Sequence, residues 1–579
     1  MAEGMSRGWE VDRRTFLRAG AAGAAGLALG TWRLRPATAV PAAVATPSSY
    51  GDWRDLYHER WTWDKVVRST HFVNCWYQAH CSWNVYVKDG VVWREEQVAD
   101  YPQTNPDVPD FNPRGCQKGG CFSERMYDPA RIRHPLKRVG PRGSGKWQRI
   151  SWEQANAEIA DAMLDAVTQH GSDRVIWDLG PLYTFGTMSA AHQRFAFLMD
   201  STSLDMNSEI GDGHRGTAET FGKIVFERSA DDYFYSDLIL IWGGNPLFTQ
   251  IPNAHFLTEA RYKGAQLVCI APDYSASSVH TDLFVPVEPG ADAALALGIA
   301  HVLVEEDRVD RDFVAEQTDL PLLVREDTRL FLRSSDLKQG GSDEELYLHD
   351  AERGVVAAPK RSLALEGLHP TLEGRFEVTL ASGEKAHVRT VYSLLRDRLA
   401  DYTPEAASKA CGTPPAAIRE LARRIGRAKS ASMVTTSNFG KYYHGNLIER
   451  SQALVFALSG NYGKKGSGFV GFPFLVHDGF EDFIFSMFTV KDLMKPDMLK
   501  AIAGGLIDEV RLKLAGYSDE MIVYEKNRKN YETGLGLSSG ALFWYVHGGL
   551  LEASEQLQDW DPYLKRPVRE VLDESFANG

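Results

Sequence analysis

Two stretches of the chain couple an unbroken apolar run to a turn and then to a helical period. Asp237-LILIW stops at Gly243-Gly244, helical spacing follows over Ala254 to Lys263, and a second apolar run, Gln266-LVCIAPD, comes next. Apolar, β-branched runs without alternation mark strands covered on both faces, so this is the pattern of a βαβ unit in a parallel sheet. Ser432-MVTTS repeats it, followed by the loop Asn438-FGKYYHG and a helix over Asn446 to Ser459. Upstream, a helix is predicted over Trp152 to His170, with Ser151 as N-cap and Glu153 in its first turn. Arg174 to Leu179 then predicts a buried strand ending at Gly180.

Nearer the N-terminus the period changes to two. Trp83 to Glu96 alternates as VYV, then Lys88-Asp89-Gly90, then VVW, which predicts a hairpin. A charged segment from about Arg325 to Arg389 reads as an insertion of hairpins and loops, and the last 90 residues read as helical and aromatic. The fold class expected is α/β, a small N-terminal module followed by Rossmann-like parallel-sheet domains, with boundaries at 60–150 and 151–579.

Residues 1–39 stand apart. Asp12-Arg13-Arg14-Thr15-Phe16-Leu17-Arg18 is a twin-arginine pattern, followed by an apolar run from Ala19 to Trp32 and the small-residue site Ala37-Thr38-Ala39. The run is too short and too rich in Gly and Ala to span a bilayer, so it predicts a removable signal for export of an already folded protein to the periplasm. No later segment has the apolar length of a membrane span. The net charge of −13, spread along the chain, gives no footprint for nucleic acid.

The cysteines are the strongest chemical signal. His71, Cys75, Cys81, Cys116 and Cys121 fall close together, whereas Cys269 and Cys411 stand alone. One His and three Cys with a long gap before the last form a soft-ligand set for an iron–sulfur cluster or zinc. The gap fits poorly with two tight zinc pairs, and disulfides are the alternative in an exported chain. Export in the folded state favours a cluster.

No G-x-G-x-x-G or G-x4-GK[ST] is present. Phosphate-friendly turns are nevertheless frequent: Gly243-Gly244-Asn245, Asp273 with Ser277, Gly290 with Asp292, Gly440, and Asn461 with Gly463 and Lys464. Backbone N–H groups in such turns cradle phosphate, and an Asp at a strand end accepts from a ribose or a guanine edge. Each taken singly also fits a tight αβ turn.

Taken together, NPRGCQKG, the segment Asn207-SEIGDGH, GGNPLFTQIPNAHF and GNYGKKGSG resemble the catalytic subunit of the dimethyl sulfoxide reductase family of molybdenum enzymes. The branch is that of nitrate, selenate and chlorate reductases, dimethyl sulfide dehydrogenase and ethylbenzene dehydrogenase. The resemblance implies a 4Fe-4S cluster on His71, Cys75, Cys81 and Cys116, and a molybdenum held by two molybdopterin guanine dinucleotides. It implies Asp212 as the molybdenum ligand, Lys118 as a cation between cluster and pterin, and Lys441 reaching the substrate pocket. The partners implied are an iron–sulfur electron-transfer subunit and a haem b subunit.

Two departures stand out. The Cys75–Cys81 spacer has five residues where the branch has three, and the family's further C-terminal domain lies beyond residue 579. The chain is therefore expected to be a fragment or one piece of a split enzyme, completed by a C-terminal partner. The expected activity is oxygen-atom transfer or water-dependent hydroxylation of a small molecule, leaning to anaerobic hydrocarbon hydroxylation. Oxyanion or sulfoxide/sulfide chemistry is the alternative, and a non-catalytic cofactor-binding or electron-transfer module is the rival of another class.

Overall fold

The computed structural model describes residues 62–69, 81–100, 105–109, 115–177, 194–196, 198–203, 215–221, 230–359, 367–435, 439–470 and 507–517, with residues 365, 522, 525 and 570. His71, Cys75 and Asp212, and most of the C-terminal segment expected to be helical, lie outside these residues.

The N-terminal module is a three-stranded antiparallel sheet of β1 (Lys65–Ser69), β2 (Trp83–Lys88) and β3 (Val91–Gln97), in that order. The expected hairpin is β2–β3, turned at Asp89 and Gly90, both at positive φ. Helix α1 (Trp152–His170) has the expected bounds, and the Ser151 side chain accepts the Gln154 N–H at 3.1 Å. The buried strand expected over Arg174 to Leu179 is different in its described part. Arg174 ends a 3-10 turn, and Ile176–Trp177 pairs with Thr202–Ser203 in a ribbon that leaves Ile176 exposed.

The centre is a parallel sheet of five described strands: β4 (Leu238–Trp242), β5 (Gln266–Ala271), β6 (Leu283–Pro286), β12 (Ala431–Val434) and β13 (Gly468–Val470). Their spatial order is β6-β5-β4-β12-β13, every pair parallel. Numbered along the chain within this sheet, the order is 3-2-1-4-5. That is the doubly wound arrangement in which the connections leave β4 and β12 toward opposite sides and open a crevice at their carboxyl ends.

Alternation along β4 divides the core. Leu238, Leu240 and Trp242 join one apolar layer with residues of α4 (Asp292–Glu305), α6 (Pro415–Arg427) and α7 (Gly445–Leu458). Ile239 and Ile241 face the other layer, against Phe256, Leu257 and Ala260 of α3 (Ile251–Tyr262). Successive strand residues point to opposite faces, so a run apolar at every position requires helices on both. A further helix, α2 (Arg215–Phe221), packs along α7.

The charged segment folds as the expected hairpins. β8 (Tyr347–Asp350) pairs with β9 (Gly354–Ala357), and β10 (Arg375–Thr379) pairs with β11 (Lys385–Thr390), which also takes β7 (Leu323–Arg325). Helix α5 (Pro404–Cys411) then leads back toward the sheet. No described helix is long and apolar enough to cross a membrane.

Candidate functional site

In a parallel sheet every loop that follows a strand emerges at the same edge. Four loops meet in this way, in their described residues: the one after β4 (243–245), after β5 (272–278), after β6 (287–291) and after β12 (435 and 439–444). They hold Gly243, Gly244, Asn245, Asp273, Ser277, Gly290, Gly440 and the backbone of Lys441, with Asp292 starting α4 beside them.

Close contacts tie these loops together. Gly243 has φ +70, and a Cβ there would lie 2.4 Å from Cζ of Phe439. Gly290 has φ +81, and a Cβ there would stand 3.0 Å from Cδ1 of Tyr442. Both positions need the left-handed region, and at both the space a side chain would take is held by an aromatic ring of the loop after β12. Ser277 Oγ donates to Asn245 Oδ1 at 2.5 Å and accepts the Leu247 N–H at 3.2 Å, joining the first two loops. Asp273 is exposed, and its carbonyl accepts the Ser275 N–H at 3.1 Å.

Asp292 is buried, and its Oδ1 accepts the indole N–H of Trp242 at 2.8 Å. Burial pushes its carboxyl up to about 6, with the Trp242 hydrogen bond acting in the opposite direction. The acid thereby fixes the end of β4 to the start of α4 at the crevice floor.

The loop Asn461-Tyr-Gly-Lys-Lys-Gly emerges at the other edge of the sheet. It follows α7 and precedes β13, and the Asn461 Oδ1 accepts the N–H of Ala431, the first residue of β12, at 2.8 Å. A strand's length, about 15 Å, separates it from the crevice. Asn461, Gly463 and Lys464 are therefore not brought together with the other phosphate-friendly turns. Asn461 is fully buried and serves the strand, while Gly463 and Lys464 are exposed.

In the N-terminal module the structure brings two of the expected cluster ligands into one neighbourhood. Cys81 is buried just before β2, and Cys116 begins the helical turn Gln117–Gly120 that carries exposed Lys118. Gln97, at the end of β3, joins the residues beside them. Its Oε1 accepts the Gly115 N–H at 2.5 Å, and its Nε2 donates to the Ser82 carbonyl at 3.4 Å. A Cβ on Gly115 would stand 2.4 Å from Gln97 Nε2, so the glycine of NPRGC permits this approach. Cys121 is exposed, and no disulfide joins any two of the described cysteines.

Gln97, Phe439 and Tyr442 are contributors that the sequence reading did not find. A lone Gln at a strand end carries no signal. The two aromatics stood inside the quoted FGKYYHG, where only the Gly and Lys were taken up.

The residues fit a dinucleotide cofactor on one observation in particular: the glycine-rich loops after β4, β5, β6 and β12 gather at the carboxyl edge of the sheet where the strand order switches. Comparison with known proteins points the same way. The molybdopterin oxidoreductase family model matches residues 131–502. Dimethylsulfide dehydrogenase subunit alpha of Rhodovulum sulfidophilum is 40% identical over 469 residues, 79% of this chain and 50% of that protein. Chlorate reductase subunit alpha of Ideonella dechloratans is 42% identical over 425 residues, 72% of this chain and 45% of that protein. Respiratory nitrate reductase subunit alpha of Haloferax mediterranei is 39% identical over 437 residues, 72% of this chain and 44% of that protein. The chain thus spans about half the length of the curated relatives it matches.

Proposed function

Since this chain belongs to the molybdopterin oxidoreductase family, we propose that it is the cofactor-holding part of a two-electron enzyme that moves an oxygen atom to or from a small molecule. The observation that carries the reading is the crevice at the carboxyl ends of β4 and β12, where the strand order switches.

Gly244, Asn245 and Gly290 would receive phosphate through backbone N–H groups, with Ser277 holding Asn245 in place, while Gly243, whose N–H is donated to the Ile270 carbonyl, and Gly440 would shape the loops around it. Asp273, exposed after β5, would accept from the ribose or guanine of the nucleotide. Asp292 acts on the crevice through Trp242. Asp212 would supply a carboxylate oxygen to the metal, a hard donor suited to an oxophilic ion. Its segment enters α2 at Arg215, and Gly216 packs against Asn446 at the start of α7, on the same edge of the sheet as the crevice. The bound molybdenum bis(molybdopterin guanine dinucleotide) supplies the two-electron oxygen-atom chemistry. Lys441 would orient the substrate.

Electrons would leave through a 4Fe-4S cluster on His71, Cys75, Cys81 and Cys116, with Lys118 between cluster and pterin, to an iron–sulfur partner and then a haem b subunit. The twin-arginine segment would place the folded protein in the periplasm; replacing Arg13-Arg14 with Lys-Lys should leave it in the cytoplasm.

For the substrate we favour an oxyanion or an organic sulfur compound, on which the named relatives act. Hydrocarbon hydroxylation is the second reading, kept by Phe248, 61% exposed in the turn after Asn245. Anaerobic assays of the assembled enzyme with chlorate, nitrate, dimethyl sulfide and ethylbenzene decide between them. Turnover of ethylbenzene alone would overturn the first reading, and a complex that holds cofactor yet turns over none would favour a non-catalytic module.

A further inference from the structure

Helix α2 meets α7 through polar groups, where buried helix faces are ordinarily apolar. Glu449 of α7 is 1% exposed, and its Oε2 accepts the backbone N–H of Gly216 at 2.9 Å and that of Thr217 at 3.3 Å. Asn446, one turn earlier, donates from Nδ2 to the Glu219 carboxylate at 2.9 and 3.2 Å. Gly216 lets the helices come this close, since a Cβ there would lie 2.2 Å from the Asn446 carbonyl oxygen.

Beside these paired groups stand buried polar atoms with no hydrogen-bond partner among the described residues. They are Asn446 Oδ1, Thr217 Oγ1, both amide atoms of Gln452, and Tyr462 Oη. Gln452 is fully buried. It follows Glu449 by three residues and precedes Phe456 by four, the spacings that make side chains neighbours on a helix. Glu449 holds the start of α2. Phe456 packs on Tyr462, whose ring also meets Phe221 at the end of α2, with centroids 6.2 and 5.3 Å apart. Gln452 is thus bracketed by the two ends of the contact. Burial pushes the Tyr462 hydroxyl far above its ordinary value, so it stays protonated.

The direction of α7 gives this series a meaning. The helix begins after the β12 loop, at the crevice edge, and ends just before Asn461, at the opposite edge. The polar atoms therefore run from Asn446 at the crevice end to half-buried Tyr462 at the far end. Asn446 and Gln452 stand about 9 Å apart along the axis. Buried amides and hydroxyls are seldom left bare; where the protein supplies no partner, internal water bridging two to four polar groups does.

We propose that the seam between α2 and α7 holds internal water and conducts protons between the far edge of the sheet and the crevice. The proton role rests on the reading of the crevice as a site of oxygen-atom chemistry. Taking an oxygen atom from a substrate as water consumes two protons with the two electrons that arrive through the iron–sulfur cluster; the reverse reaction releases both. Water on Tyr462, Gln452 and Thr217 carries the proton by exchange of hydrogen bonds. Glu449 adds a carboxylate that takes a proton from one side and passes it to the other.

The test uses the assembled holoenzyme, wild type and with Gln452→Leu or Thr217→Val. The readouts are ordered water in a crystal structure, thermal unfolding, molybdenum content, and turnover of the four assay substrates in H2O and D2O. Wild type should show water within hydrogen-bond reach of the Gln452 amide. Gln452→Leu should lose that water, unfold at a lower temperature and keep its molybdenum. Its turnover should fall by at least about tenfold, with a larger solvent isotope effect. Thr217→Val should change turnover and isotope effect in the same direction, and serves if Gln452→Leu does not fold. A dry seam, with Gln452→Leu unfolding at a higher temperature because an unpaired amide has left the core, would overturn the proposal. So would water in place but wild-type turnover and isotope effect in both variants. Wild-type enzyme that holds molybdenum yet turns over no substrate would overturn the reading of the crevice and the proton role with it. The water and unfolding measurements would still decide whether the seam is hydrated.

Discussion

The ring of Phe439 lies where a side chain on Gly243 would stand, 2.4 Å from the Cβ position. Two loops from β4 and β12, about 200 residues apart in the chain, are thereby closed against each other at the point where the strand order reverses. Gly243→Ala meets both a positive φ and that ring, which together should destabilise the protein by about 1–2 kcal/mol. More tellingly, it should lower bound molybdenum well beyond what the loss of stability explains. Trimming the ring in Gly243→Ala/Phe439→Ala removes the clash and should recover part of the metal. Thermal unfolding and metal analysis of the two variants check this, and wild-type molybdenum in Gly243→Ala would count against this loop closure as part of the cofactor site.

Asp292 gives a prediction with a definite sign. Burial raises its carboxyl to about 6 from 3.8, so the folded protein holds that proton more tightly than the unfolded chain does. Its burial is uncostly below about pH 4, and the full cost is present above about pH 6, so this group lowers stability as pH rises between them. Asp292→Asn keeps an acceptor for Trp242 Nε1 and removes the charge. Its stability relative to wild type should rise by up to about 3 kcal/mol from pH 4 to pH 7. Denaturant unfolding at a series of pH values measures it; a pH-independent difference would refute the assignment.

In the N-terminal module, Gln97 joins Ser82 to Gly115 and so sets the spacing of Cys81 and Cys116. Gln97→Ala leaves two backbone groups without that partner and should weaken iron retention without abolishing the fold of the β-sheet. Iron content and circular dichroism, read on the same preparation, separate the two effects.

Cys116 and Cys121 provide an independent check on which thiolates hold the cluster. Cys116→Ser should remove the iron chromophore, and Cys121→Ser should leave it, because a thiolate is the ligand the iron requires. The reverse pattern would move the ligand set to Cys121.

Much of this arrangement was legible in the sequence, and the rest was hidden for identifiable reasons. LILIW and LVCIA announced β4 and β5 because runs apolar at every position have few other homes. Ser151 marked the start of α1 through its cap. β6 and β13 escaped notice because four residues ending in Pro286 and three beginning with Gly468 carry too little pattern. The VIWDL run was read as buried, yet its described part pairs with only two residues and leaves Ile176 exposed. Gly-rich turns at 243 and 463 look alike as sequence. The difference is that one follows a strand and the other a helix, which in a parallel sheet sends them to opposite edges. Glu449 gave no signal at all, since its partners are backbone N–H groups more than 230 residues earlier.

The central claim is that the crevice between β4 and β12 holds molybdenum on a pterin dinucleotide while the cysteine module holds an iron–sulfur cluster. Elemental analysis of the purified assembled enzyme tests it most directly. The account predicts about one molybdenum bound through this chain, guanine nucleotide released on denaturation, and about four iron atoms assignable to the cysteine module through their loss in Cys116→Ser. Assembled enzyme that carries zinc at those cysteines, or contains iron with neither molybdenum nor releasable guanine nucleotide, would contradict it.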